Sequence, residues 1–484
     1  MILQEEPCGK QVRTSDGNTL QIHSLFDAGG QAALYTEQTG NYLVKLYNPD
    51  TQAKKQKLID KFTLLKQQPL PDSFIKVIDV VTDPYVGFVM EKLEGFSSLA
   101  EFMENHTDTR YDLRKRLVRA FSVAKSFRQL HEHSLAYCDI SPRNILFKDS
   151  SHSTTIRIID IDNIYVPGLS RPVVGGSPYH RAPELLAGAS PDIFTDHFAL
   201  AIIIFEMLCM RHPYVSKAAE KLSPEEEQNA ADKALYGYIE EDESGALPIA
   251  DVFTPKLRAL ARRCFVDGYT NPMARPTAAE WEIALIEASN QVVQCPKCKE
   301  YTYAFTKKFP CCACKQPLER GPVLRFYNRV FGEKAVYADE YDKKFFRDEP
   351  LNREFVLRKY MDGEKALEPN YIRLFYFCDL DPVAYNDTLS KKKENAISIA
   401  PLTIGEYEDG NWYYRWVPQG EMKCRYESQK EAFDLAQSEK RKFVKKDQLP
   451  NFKTGAIFIF WKSKPRELQG GKYICQRIAK VEEN

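Results

Sequence analysis

The chain has 484 residues, 43% hydrophobic and 28% charged, an ordinary globular composition that at about 150 residues per domain allows about three domains with cores of their own. Lys plus Arg equals Asp plus Glu at 67 each, so the whole-chain charge argues against a general polyanion-binding or membrane-surface role, and any such role must be local.

Residues 1–10 carry neither a basic start nor an apolar core, so no signal peptide is expected there. The longest apolar run, Phe198 to Met210, is interrupted by Glu206 and falls short of the roughly 18 residues of a membrane span. It is expected as a buried helix, with no membrane partner. Of twelve cysteines, Cys295, Cys298, Cys311, Cys312 and Cys314 cluster and the rest scatter, which suits a reducing, cytoplasmic setting with one metal site.

In chain order, short β-like runs flank Asp27-Ala28-Gly29-Gly30-Gln31-Ala32 and predict a hairpin. Glycine there lets backbone amides approach a phosphate, although a plain turn would use the same residues. Leu43 to Tyr47 alternates as a strand and sets Lys45 among apolar neighbours, a costly place for a cation unless it meets an anion. A helix is expected over about residues 51–66, with Leu58, Phe62 and Leu65 on one face. Leu113, Leu117, Phe121, Ala124, Phe127 and Leu130 mark an amphipathic helix leading to His131. Beyond it Tyr137-Cys138-Asp139-Ile140-Ser141-Pro142-Arg143-Asn144 sets an acid and a carboxamide in a loop, and Ile158-Ile159-Asp160-Ile161-Asp162 is a strand-like run ending in acid. Phosphoryl transfer needs this inventory: an acid beside the attacking hydroxyl and two oxygen ligands for magnesium. Taken alone, Asp-x-x-x-x-Asn is also common turn chemistry.

The motifs from Asp27 to Arg275, taken in order, resemble the eukaryotic-type (Hanks-type) Ser/Thr protein kinases in their bacterial style. The resemblance implies a bilobal α+β kinase fold over residues 1–290, with a small lobe of about 1–92 and a large lobe of about 93–290. It implies that Asp139 is the catalytic base, that Asn144 and Asp160 hold Mg²⁺, and that Lys45 contacts the α and β phosphates of ATP. Gly29 and Gly30 would cover the phosphates, and the main chain between Glu91 and Leu93 would hold adenine. Gly176 to Glu184 matches the segment ending in Ala-Pro-Glu, where Ser177 would face the catalytic aspartate; Asp196 begins the buried helix, and Arg275 would pair with Glu184. The departures are specific. Asp27 and Ala32 stand at two glycine positions, and the early helix has no glutamate, leaving Asp60 as the acid expected to meet Lys45. Cys138 replaces an arginine, which implies that activation-loop phosphorylation is not the main switch. Ser141 replaces a lysine, and Ile161-Asp162 replaces Phe-Gly.

Between Val215 and Asp251 lies an acid-rich insert, expected to be solvated helix with no assigned function. Cys295-x-x-Cys298 and Cys311-x-x-Cys314 are knuckles with twelve residues between them, and no histidine follows His212. Four thiolates at this spacing suit a closed, structural Zn²⁺ site over residues 291–320, most simply Cys295, Cys298, Cys311 and Cys314, with Cys312 as a substitute in the second pair.

Residues 321–484 carry no named motif and are expected as an accessory α+β or mostly β domain, with strands at 412–416 and 456–461 and a helix over 429–442. Residues 440–480 hold twelve Lys and Arg against Asp447 and Glu467. This excess could meet nucleic acid, but solvated strand faces are the preferred reading.

The sequence therefore predicts a protein Ser/Thr kinase with a protein substrate, using ATP, Mg²⁺ and Zn²⁺. Resemblance to ribbon-bearing kinases of bacterial stress modules leaves room for a cognate phosphatase or other module partner. Two alternatives stand beside it: a pseudokinase scaffold, and a small-molecule phosphotransferase, which would not be expected to carry the Ala-Pro-Glu segment, Asp196 and Arg275.

Overall fold

The structure is a computed structural model of the chain. It describes residues 6–29, 32–49, 51–104, 113–149, 154–166, 176–215, 221–240 and 249–331, then the strand segments 346–358, 372–374, 402–406, 412–416, 424–426, 457–468 and 472–482, with backbone alone from residue 321. The chain divides into two units, residues 1–110 with 116–285 and residues 111–115 with 286–484.

The first unit begins with β1 (Gln11–Thr14), β2 (Thr19–Ala28), β3 (Ala32–Glu37), β4 (Tyr42–Tyr47), α1 (Gln52–Gln67), β5 (Asp79–Asp83) and β6 (Val86–Glu91). The six strands close into an antiparallel barrel in the order β1-β2-β3-β4-β6-β5, with β1 returning to β5. Alternation explains the closure, because every second side chain can point inward. Val12, Ile22, Ala33, Tyr35, Val44, Leu46, Val81 and Val89 fill the interior. Helix α1 starts at Thr51, whose hydroxyl accepts the Lys54 N–H, and sets Phe62 against the rings of Tyr47 and Phe88, with centroids 5.3 and 4.9 Å away.

The large lobe follows with β7 (Ser97–Ser98), α2 (Leu99–Glu104), α3 (Leu113–Glu132), β8 (Ile145–Asp149), β9 (Thr154–Ile158), α4 (Pro183–Leu186), α5 (Ile193–Cys209), α6 (Pro224–Asp232), α7 (Ile249–Val252), α8 (Pro255–Arg262), α9 (Gly268–Thr270) and α10 (Ala278–Ser289). Helix α5 is the buried helix expected from the apolar run: every residue from Thr195 to Cys209 is buried, as a mostly apolar helix requires. Asp192 starts it with a capping box completed by Thr195. The first unit is thus a strand-built small lobe followed by a mainly helical large lobe.

The second unit is strand-built where described: β10 (Val292–Gln294), β11 (Tyr301–Tyr303), β12 (Lys308–Pro310), β13 (Pro317–Phe331), β14 (Phe346–Arg358), β15 (Ile372–Leu374), β16 (Leu402–Glu406), β17 (Trp412–Trp416), β18 (Cys424–Tyr426), β19 (Ile457–Leu468) and β20 (Lys472–Glu482). One sheet runs β12-β13-β20-β19-β18 with β14 on β13, and a second runs β15-β16-β17. The strands expected at 412–416 and 456–461 are β17 and β19, while the helix expected over 429–442 lies outside the described residues. Among the described residues no helix is long and apolar enough to cross a membrane.

Asp79 ties the small lobe together. Its buried carboxylate accepts Ser15 Oγ at 2.9 Å, Asn18 Nδ2 at 3.3 Å and its neighbour's N–H, Val80, at 2.8 Å, with Lys66 of α1 at 3.4 Å. Burial alone would raise its pKa, but these hydrogen bonds outweigh it and hold the acid at about 2, below the roughly 3.9 of an unfolded chain. Its stabilising contribution is therefore complete above about pH 4 and lost as pH falls toward 2. Asp79→Asn should cost about 1–3 kcal/mol at pH 7 in urea unfolding, and the gap from wild type should narrow as pH falls from about 4 to about 2.

Candidate active site and cysteine cluster

The loop that carries Asp139 follows α3 and is fixed from below by α5. Asp196 Oδ2 and Oδ1 accept the backbone N–H groups of Tyr137 and Cys138 at 2.6 and 2.8 Å, and His131 Nε2 lies 3.1 Å from Oδ2. Cys138 has φ 70°, a left-handed conformation unfavourable for a residue with a side chain. Its thiol is buried, and burial drives its pKa far up, so it is a neutral space-filler.

Asp139 then points into the site. Its Oδ1 accepts the Ser177 hydroxyl at 2.6 Å, and its Oδ2 accepts Asn163 Nδ2 at 3.3 Å. Asn144 sits in a 3₁₀ turn over Pro142–Asn144 and donates its amide to the Asp139 carbonyl at 3.1 Å. Its main-chain carbonyl accepts the Ile159 N–H at 2.9 Å, which brings this loop alongside Asp160. Asp160 also has a left-handed backbone, with φ 62°.

Lys45, on β4, reaches this point from the small lobe. Its Nζ forms ion pairs with Asp160 and, at 2.8 Å, with Asp162. Burial opposes its charge, yet the two carboxylates more than offset this and raise its pKa. Tyr47, two residues on and on the same face of β4, donates its hydroxyl to Asp162 Oδ2. Burial acts against the Asp162 charge, but Lys45 and the surrounding hydrogen bonds hold that acid well down. Burial and the adjacent Asp162 charge push Asp160 up, to about 6.

The expected Asp60–Lys45 pair is not formed. Asp60 is on the exposed side of α1 and accepts Gln56 Nε2 at 2.8 Å, one helical turn back. The reason is helical phase: burying Phe62 and Leu65 turns Asp60 outward and brings Lys61 inward. Gly29 lies exposed at the β2–β3 turn and donates its N–H to the Ala32 carbonyl at 2.9 Å; Gly30 lies outside the described residues. Glu91 ends β6 and pairs with Arg157 at 3.2 Å, and Leu93 lies just beyond in the link to β7. Neither Asn163 nor Tyr47 was singled out in the sequence, and the only signal for them was adjacency to Asp162 and Lys45.

The segment that ends in Ala-Pro-Glu is anchored twice. Arg275, with its side chain fully buried, makes a two-pronged pair with Glu184 at 2.7 and 2.8 Å and also donates to the carbonyls of Gly268 and Phe194. A Cβ on Gly268 would meet Arg275 Cγ at 2.6 Å, so only glycine leaves room for that side chain. The second anchor is Asp232, from the acidic insert to which the sequence assigned no role. It accepts the N–H of Tyr179 at 2.9 Å, a residue with φ 67°.

In the second unit Cys295, Cys298, Cys311 and Cys314 place all four sulfurs within 4.8 Å of one another. The knuckles share one backbone pattern: Cys295 N–H donates to the Glu300 carbonyl at 2.8 Å and Cys311 N–H to that of Gln316 at 2.8 Å, with Lys299 and Lys315 at φ 66° and 59°. The closest sulfurs are 3.6 Å apart for Cys295–Cys314 and 3.5 Å for Cys298–Cys311. A zinc tetrahedron with bonds near 2.3 Å has edges of about 3.8 Å, so the cluster fits that ion. The Gln316 N–H and the neighbouring sulfurs hold the Cys314 thiol below its ordinary value, whereas burial raises those of Cys295, Cys298 and Cys311. Cys312 points elsewhere, its Sγ donating to the Tyr301 carbonyl at 3.4 Å.

The two lobes and the convergence of Lys45, Asp139, Asn144 and Asp160 define a class. The family model described as "Protein kinase domain" matches residues 30–282, more than half of the chain, and the chain belongs to that family, whose members use ATP and Mg²⁺. Proteins it is similar to carry protein kinase names. Serine/threonine-protein kinase DCLK3 of Mus musculus is 21% identical over 44% of this chain and 28% of its own length. The probable cAMP-dependent protein kinase catalytic subunit of Encephalitozoon cuniculi is 24% identical over 37% of this chain and 59% of its own length. MAP kinase-activated protein kinase 2 of Homo sapiens is 24% identical over 31% and 39%. The chain thus spans between about a quarter and three fifths of the length of these relatives.

Arg275→Met keeps bulk but leaves the Glu184 carboxylate unpaired. It should destabilise the large lobe by about 3–5 kcal/mol, measured by urea unfolding, with faster proteolysis near residue 180.

Proposed function

We propose that the chain is a protein kinase that transfers the γ-phosphate of ATP to Ser or Thr of a protein substrate. The observation that carries the reading is the Asp139 carboxylate, set 2.6 Å from a hydroxyl, that of Ser177, and bordered by Asn144 and the Lys45–Asp160 pair. The donors around the nucleotide position suit the group: the hard oxygens of Asp160 and Asn144 match Mg²⁺. ATP supplies the phosphoryl group. Asp139 orients the substrate hydroxyl and accepts its proton, Lys45 binds the α and β phosphates, and Asn144 and Asp160 hold the metal ion. Backbone at Gly29 and Gly30 covers the phosphates, and the main chain at Glu91 and Leu93 takes adenine. The kinase part is residues 1–290, with lobes meeting near residues 92–93.

Residues 291–320 are a zinc ribbon whose four cysteines hold a structural Zn²⁺, since a closed Cys₄ set offers no position for water or substrate. Residues 321–484 are an accessory domain. Its basic stretch is given to strand faces rather than nucleic acid, a choice supported by β19 and β20. The setting is a cytoplasmic bacterial signalling or stress module, with a cognate phosphatase or other module partner beside the protein substrate.

A second reading, a pseudokinase scaffold, is favoured by one observation: Lys45 is shared between two acids while the helix offers it none. Transfer from labelled ATP to a generic basic protein with Mg²⁺ separates the two. Asp139→Asn should lower the rate by ~10²-fold or more through lost base catalysis and positioning, and equal labelling by wild type and variant would establish the scaffold.

For the ribbon, elemental analysis of reduced protein should give one zinc per chain. Cys295→Ser should lose the metal and the protease resistance of residues 291–320 while keeping ATP binding, because the ribbon's small core of Val293, Ala304, Phe309 and Leu318 beside the cysteines hardly offsets the entropy of ordering it.

A further inference from the structure

The helix that follows β4 gives Lys45 no acid. Asp60 faces away, and the side chain that α1 turns inward at this level is another lysine. Lys61 is half-buried, and burial together with repulsion from Lys45 outweighs the attraction of Asp162, so its pKa lies below the ordinary lysine value. The inward side of the helix thus adds positive charge to the field around Lys45 and no acid. The counter-charge comes from the loop after β9. Asp162 Oδ1 is 2.8 Å from Lys45 Nζ and its Oδ2 accepts the Tyr47 hydroxyl, with the carboxylate only 14% exposed. Both oxygens are taken, one by an ammonium and one by a phenol, which suits a holder of Lys45 rather than a metal ligand.

We infer that Asp162 is the positioning residue for Lys45, supplying from the loop after β9 the acid that α1 lacks, with Tyr47 fixing the carboxylate. This rests on the kinase reading of the Lys45 site. With Asp160 engaged by Mg²⁺, Asp162 would be the acid left to hold Lys45. The acid that holds Lys45 thus stands on the loop after β9, at Asp162, and the helix carries a base, Lys61, on its inward side.

The test uses the full purified chain and two readouts: affinity for a non-hydrolysable ATP analogue with Mg²⁺ by calorimetry, and transfer kinetics to a basic protein. Loss of a charge-assisted hydrogen bond in Asp162→Asn should weaken nucleotide affinity ~10-fold and raise KM for ATP, leaving KM for the protein substrate unmoved. Tyr47→Phe should shift both in the same direction by less, and Asp60→Asn should change neither. The double variant Asp162→Gly with Lys61→Glu returns the acid to the helix and should recover most of the lost affinity. Wild-type affinity in Asp162→Asn would overturn the inference, as would a double variant as weak as Asp162→Asn, since Asp162 would then act through loop structure alone. If Asp162→Asn fails to fold, Tyr47→Phe decides: unchanged nucleotide affinity overturns the inference. A wild-type chain that binds nucleotide and responds to these variants, yet labels no more than Asp139→Asn, would overturn the kinase reading and leave the inference standing.

Discussion

The site hangs on one buried carboxylate. Asp196 is 1% exposed, and a charge so far from water costs several kcal/mol unless its lone pairs find donors. The N–H groups of Tyr137 and Cys138, with His131 alongside, meet that need, and in doing so they lock the loop into the left-handed turn at Cys138. Without those bonds Cys138 would relax toward ordinary backbone angles and Asp139 would leave the position from which it faces Ser177. Helix α5 can hold Asp196 there because it is buried from Thr195 to Cys209 and capped at Asp192, so its first turn has little freedom to shift.

Much of this was legible in the sequence. The order of Lys45, Asp139, Asn144, Asp160, Glu184 and Arg275 announced the family, because each is a residue type chosen for chemistry in a context of apolar strands and helices that packing alone would not require. The existence of α5 as a buried helix followed from an apolar run broken only by Glu206, and the cysteine cluster from spacing. What failed was helical phase. The choice of Asp60 rested on being the available acid, whereas the phase of α1 is set by Phe62 and Leu65 seeking the core, and that phase carries Asp60 to solvent. Asp232 was invisible for a different reason: a buried acid in an acid-rich insert looks like its solvated neighbours until the backbone N–H that it caps is known.

The same contrast explains how Asp162 was undervalued. In the sequence it registers as a missing glycine, a loss of backbone freedom. In three dimensions it is a gain of charge beside two lysines, and the two descriptions concern different physical terms. A substitution that removes conformational freedom and adds an ion pair can be understood only when both the backbone and its neighbours are in view.

The closed small-lobe barrel has a consequence for company. An open sheet edge offers unpaired N–H and C=O groups on which a foreign strand can template itself, in partner docking and in aggregation alike. With β1 hydrogen-bonded to β5, the barrel presents no such edge among the described residues, so a partner docking on its described part must recognise side chains on its strand faces, α1 or the connecting turns. Those surfaces evolve one residue at a time, without the ladder geometry that would let any extended peptide compete.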